Sequence, residues 1–150
     1  MQKSAVPNVY VGSLITSIVG AILLLATDFA GWYNETSGTR EWGWISVDAS
    51  VPAAILLIIL ALCLLYCSYI SFLGLQTSNE EPTKDKLQIG LILSGLVFLI
   101  VLIGGLIFVG VMLSDEPSEW GLDAGFYSGL IGSFLTALFL YIAYKEQYLT

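Results

Sequence analysis

Residues 87–113 read LQIGLILSGLVFLIVLIGGLIFVGVML, with no charged side chain anywhere in the run. A helix needs roughly 20 apolar residues to cross the hydrocarbon core of a bilayer. In lipid the backbone must satisfy its own hydrogen bonds, so such a run is expected as a helix. Working outward, three further stretches have the same character: about Val9 to Thr27, Val51 to Leu73 and Leu122 to Tyr144. The sequence therefore predicts an all-α membrane fold, an antiparallel four-transmembrane-helix bundle occupying residues 1–150 as one domain. Its immediate partner is membrane lipid. Lys3 followed by an apolar run resembles a signal peptide, but the run is long for one and lacks a good small-x-small cleavage site, so the first span is expected to be retained.

The distribution of charge sets the expected topology. The chain is 57% apolar and 11% charged, with a formal charge of −7. Four spans place both termini and residues 74–86 on one side, where Lys3, Lys84, Lys86 and Lys145 balance Glu80, Glu81, Asp85 and Glu146. On the other side, Asp28, Glu35, Glu41, Asp48, Asp115, Glu116, Glu119 and Asp123 face Arg40 alone, so the whole net charge falls there. Basic residues near span ends mark the cytoplasmic side. The protein is expected in the cell membrane with both termini cytoplasmic. Trp32, Trp42, Trp44 and Trp120 all fall on the outer side, as interfacial tryptophans do. Asn34-Glu35-Thr36 is a glycosylation sequon in the first outer loop, so Asn34 is a candidate acceptor.

The outer connections carry the candidate interaction residues: Trp32, Trp42, Trp44 and Trp120 with Glu41, Asp48, Glu116 and Glu119. Trp42 and Trp44 alternate with Gly43 and Ile45, and Ser37-Gly38 signals a turn. That spacing suits a short β-hairpin with an aromatic face lying on the membrane or on the helices, or else an irregular loop anchored by its tryptophans. Asp48 or Ser50 is expected to cap the second span. Ser114 to Glu119 reads as a tight turn around Pro117, with Ser118 capping the fourth helix.

Small residues recur every fourth position in the fourth span: Gly121, Gly125, Gly129, Ser133 and Ala137. Small-xxx-small stripes let membrane helices approach closely. Gly12, Thr16 and Gly20 repeat the pattern in the first span, and Gly90 with Ser94, then Gly104, Gly105 and Gly110, in the third. Packing among the chain's own helices is expected in preference to dimerisation.

Most catalytic chemistry lacks its parts. There is no histidine, and Cys63 and Cys67 both lie in the second span, four apart, where they read as small apolar helix residues. No phosphate-cradling motif occurs. No enzyme activity, metal, cofactor or nucleic-acid partner is expected. Transporters and channels generally carry ionisable groups inside the membrane, and these spans offer hydroxyls instead. The expected role is a non-enzymatic membrane scaffold or interaction protein that associates with itself or with other membrane chains. The alternative is an accessory subunit of a larger membrane complex, and a transporter or channel is disfavoured by the uncharged spans.

The layout resembles the claudin and peripheral-myelin-protein superfamily of four-span proteins. Trp42-Gly43-Trp44 is loosely similar to the tryptophan-glycine-leucine-tryptophan element of that family's first outer loop. Gly125-Phe126-Tyr127 is similar to its aromatic entry to the last span. The resemblance implies cytoplasmic termini, strands in the first outer loop and small-residue packing between spans. The family's paired loop cysteines are absent here and the loop is about half the expected length, so the family's junction-forming role is not carried over.

Overall fold

The computed structural model describes residues 6–36, 38–76 and 84–149. Ser37 and the expected connection Thr77 to Thr83 lie outside the described residues. In chain order the elements are α1 (Val6–Ala26), β1 (Ala30–Thr36), β2 (Thr39–Ile45), α2 (Val51–Leu75), α3 (Lys84–Asp115), β3 (Glu119–Leu122) and α4 (Ala124–Tyr144), closed by a π-helical turn, Lys145–Leu149. All four helices are long and apolar enough to cross a membrane. Ser50, not Asp48, caps α2: its hydroxyl accepts from Ala53 N at 3.3 Å, with Pro52 in the first turn.

The helices pack in a cycle. α1 lies against α2 and α4, and α3 against the same two. Apolar and hydroxyl side chains share the interior. Leu24, Leu64, Val97 and Val101 are buried toward the end that carries the strands, and Tyr10, Ile70, Leu87 and Leu140 toward the other end. Between them Ser17 Oγ meets Ser68 Oγ at 2.7 Å, Ser71 Oγ donates to Ser13 Oγ at 2.7 Å, and Thr16 Oγ1 meets Thr136 Oγ1 at 2.9 Å. Each hydroxyl has one proton. Where Ser17 and Ser68 meet, one donates across the interface and the other can return its proton to a carbonyl of its own helix, Ser13 O for Ser17 or Leu64 O for Ser68.

The polar connections add a feature that the sequence analysis only half anticipates. β1 and β2 form the expected hairpin, with Gly38 at φ 80°, a region L side chains rarely adopt. The second outer connection contributes β3, and the three strands make one antiparallel sheet in the order β2-β1-β3. The expectation of an all-α chain with at most a hairpin is corrected accordingly. Ser118 does not cap α4. Its Oγ instead accepts from Glu35 N at 3.1 Å, and the cap is Asp123, whose carboxylate accepts from Ala124 N at 3.0 Å. Residues 119–122 are thereby free to pair as a strand.

Length explains how the sheet is supported. At about 1.5 Å per residue, the 32 residues of α3 exceed the roughly 30 Å of a hydrocarbon core. The C-terminal turns of α3 are a post against which the sheet rests. Phe108 of α3 meets Trp32 at a centroid distance of 6.3 Å and Trp120 at 6.1 Å.

Candidate functional site

The two faces of the outer sheet are built differently, and the register shows why. Directly paired residues share a face. Trp32 lies opposite Gly43 on one side and Trp120 on the other, and this row faces α3. A Cβ at position 43 would lie 2.0 Å from the Trp32 ring, which lies across it, so any side chain there must displace that ring. A groove of ≈ 370 Å³ separates this inner face from the end of α3, walled mainly by Ile45, Phe108, Val111, Met112 and Pro117.

On the outer face, one row runs Trp44, Gly31, Gly121 and the next runs Trp42, Tyr33, Glu119. The two adjacent glycines leave a bare floor. The Tyr33 and Trp42 rings meet beside it at a centroid distance of 4.3 Å, tilted 47° to each other, and Trp44 flanks it. The result is a groove of ≈ 400 Å³ that also takes in the carboxylate residues Asp28, Glu119 and Asp123. Trp42 is 69% exposed and Trp44 48%, so this face is not covered by the helices. The hydroxyl of Tyr33 donates to Glu35 Oε2 at 3.3 Å. Partial desolvation, that hydrogen bond and the nearby charge of Glu119 push its phenol above the usual range. Arg40 approaches Glu35 at 3.9 Å, an exposed pair of small energetic weight.

The expected interaction residues thus separate. Trp42, Trp44 and Glu119 share the outer groove. Trp32 and Trp120 belong to the inner row, with the Trp120 ring lying against Phe108, although both residues also border the outer groove. Glu41 is exposed on β2 opposite Asn34. Asp48 sits in the turn before α2, where it accepts from the Ser46 hydroxyl. Glu116 directly follows α3, with φ 49°. Neither groove takes in Glu41, Asp48 or Glu116. Asn34 is half-buried in the middle of β1 and lines the inner groove. Asp28 and Asp123, read from sequence as boundary charges, belong to the outer groove.

The fourth-span seam is also redrawn. Gly121 is in β3 and contributes nothing to helix packing. Gly125 meets the backbone of Asp28 and Phe29, Gly129 meets Leu24, and Gly132 lies against Thr16 O and Gly20 Cα. Ser133 is buried and donates to Gly129 O, while Ala137 is half-buried. The reason is the helix period. A step of four residues overshoots a 3.6-residue turn by about 40°, so a strict every-fourth stripe drifts off the interface. The contacts at Gly125, Gly129, Gly132 and Thr136 alternate steps of four and three and stay on it. Elsewhere, Gly12 lies under Phe139, Gly90 under Ile70 and Gly105 under Phe126.

The signal for the missed strand was present. Gly31-Trp32, Trp42-Gly43-Trp44 and Trp120-Gly121 place a glycine beside a tryptophan in all three strands. Antiparallel pairing then sets Gly31 against Gly121 and Trp32 against Trp120. Comparison with known proteins found no matching family, no matching curated protein and no matching solved structure.

Proposed function

We propose that this chain is an integral membrane protein, an antiparallel bundle of four spans with both termini cytoplasmic, and that it acts as a non-enzymatic scaffold or interaction protein through its outer sheet. The observation that carries this reading is the uneven sheet. One face rests on α3, while the other presents Trp42 and Trp44 largely uncovered beside three carboxylate residues. Exposed tryptophans cost solvation and are enriched where partners dock. The concentration of the −7 charge on the outer segments supports the orientation and supports a partner of opposite charge.

Purification in mild detergent, followed by mass spectrometry of co-eluting chains, tests the reading. Self-assembly supports a scaffold, and stoichiometric partners support a subunit of a larger complex. Association through the sheet should weaken with salt, because exposed charges are screened over about 8 Å at physiological ionic strength. It should also weaken in Trp42→Ala and Glu119→Gln, and less in Glu41→Gln, Asp48→Asn and Glu116→Gln, which stand away from the groove. A monodisperse monomer with no co-eluting chain would refute it, as would substrate-dependent flux in liposomes containing this chain alone.

A further inference from the structure

The groove on the outer face of the sheet has a bare glycine floor, aromatic walls and an acidic rim. Tyr33, Trp42 and Trp44 supply the rings, and Asp28, Glu119 and Asp123 the charges. No Lys or Arg is among the described residues that line it. Aromatic faces carry negative potential and attract cations, with tryptophan the strongest. Carboxylates add the same preference without directional demand. A hard metal ion is poorly served, since no three carboxylate, His or Cys groups converge as metal ligands among the described residues. An alkylated ammonium is weakly hydrated and fits ring faces that a metal ion would not leave water for.

The charge pattern also bears on what can be attached to that ammonium. A phosphocholine headgroup would bring a phosphate into a site whose charged groups are all anionic. A cation free of any anionic group meets no such repulsion. We propose that this groove binds a small organic cation, an alkylated ammonium with no anionic group attached. The inference goes beyond the interaction role, because a small ligand requires no partner chain. Absence of co-eluting chains would leave it standing, and failure of cation binding would leave the partner reading standing.

The test uses the full chain in a neutral maltoside detergent, titrated with tetramethylammonium chloride at constant ionic strength. Potassium chloride is the reference, and tryptophan fluorescence and calorimetry are the readouts. The expected result is saturable binding. Gly121→Leu should weaken it by about tenfold or more by filling the floor, and Glu119→Gln and Trp44→Leu should each weaken it severalfold. A Cβ at Gly121 meets nothing within 4 Å, so the first carbon of the new side chain enters open space, and the unfolding midpoint of Gly121→Leu is measured alongside binding. Glu119→Gln, an exposed and nearly isosteric change, is the second variant if that midpoint falls. Phosphocholine should bind more weakly than tetramethylammonium. A response no greater than that to potassium would overturn the proposal. So would unchanged affinity in both Gly121→Leu and Glu119→Gln, or phosphocholine binding as tightly as the free cation, which would assign the groove to lipid headgroups.

Discussion

Replacing Gly125 by alanine adds one methyl group at the point where α4 begins against the end of α1. A Cβ at that position would lie 2.8 Å from the Asp28 carbonyl oxygen, 3.0 Å from its carbon and 3.1 Å from Phe29 Cα. These are backbone atoms and cannot swing aside as a side chain would. The same glycine donates its N–H to Asp28 O at 2.9 Å, so the helix end must move away from its own hydrogen-bond acceptor. Overpacking of this kind costs about 1–3 kcal/mol. A strained or lost hydrogen bond adds about 1 kcal/mol. The better helix propensity of alanine returns at most about 1 kcal/mol. The net expectation is a loss of about 1–3 kcal/mol, or roughly a 5- to 160-fold fall in the folded-to-unfolded ratio. Two controls bracket it. At Gly129 the added carbon meets the tip of Leu24 at 2.8 Å, a flexible side chain, so Gly129→Ala should be close to neutral. At Gly110 nothing lies within 4 Å, so Gly110→Ala should stabilise by up to about 1 kcal/mol. Reversible denaturant unfolding in detergent, followed by tryptophan fluorescence, ranks the three. If Gly125→Ala proves as stable as the parent, or more stable than Gly110→Ala, the close approach of α4 to the α1–β1 connection is not what holds this corner.

Further expectations follow from the sheet, the topology and the hydroxyl contacts. Gly43→Ala should displace the Trp32 ring and shift the emission spectrum to the red, and Trp32→Ala in the same background should remove most of the shift; an unshifted spectrum would mean that the ring does not lie across position 43. A cysteine at exposed Glu41, in a Cys63→Ala, Cys67→Ser background, should react with an impermeant maleimide in intact cells, and labelling only after permeabilisation would reverse the topology. Ser17→Ala should cost under about 1 kcal/mol, because Ser68 retains Leu64 O as an acceptor; a much larger loss in unfolding measurements would show that the pair acts as more than a local tie.

The long apolar runs were legible because nothing competes with the helix in lipid, and each run carries its own evidence. Their boundaries were less so. The fourth run was read from Leu122, but Leu122 ends β3, and an aspartate at 123 does double duty as charged boundary and helix cap. The hairpin could be read from the alternation around Trp42 and Trp44, whereas β3 could not be read from its own four residues. A strand that short is defined by its partner, and the partner lies far away in sequence. The outer groove inherits the same difficulty. Trp42, Trp44 and Glu119 stood out by type, but the floor is made by the absence of side chains at Gly31 and Gly121, and only the pairing register brings those two absences together. One position of the seam was misplaced for a different reason: Gly121 fitted the repeat by number while lying in β3, whereas Gly125, Gly129 and Ser133 are buried in α4.

The pairing of β1 with β3 has a mechanical consequence. β1 follows directly from α1, and β3 leads directly into α4, so the strand ladder ties together chain segments at opposite ends of the sequence. Phe29 O receives Asp123 N, and Asp28 O receives Gly125 N, each at 2.9 Å, extending the tie down to the helix ends themselves. At the other end of this helix pair, Tyr10 and Gln147 meet through side chains, with the hydroxyl donating at 2.9 Å. Side-chain contacts can exchange with water one at a time, whereas a backbone ladder opens only as a unit. The sheet end of the α1–α4 pair is therefore a clasp, and any splaying of these helices has its fulcrum there and its travel at the end that holds Tyr10 and Gln147. An alternating rocking motion, which needs both ends to part in turn, would first have to unzip the sheet.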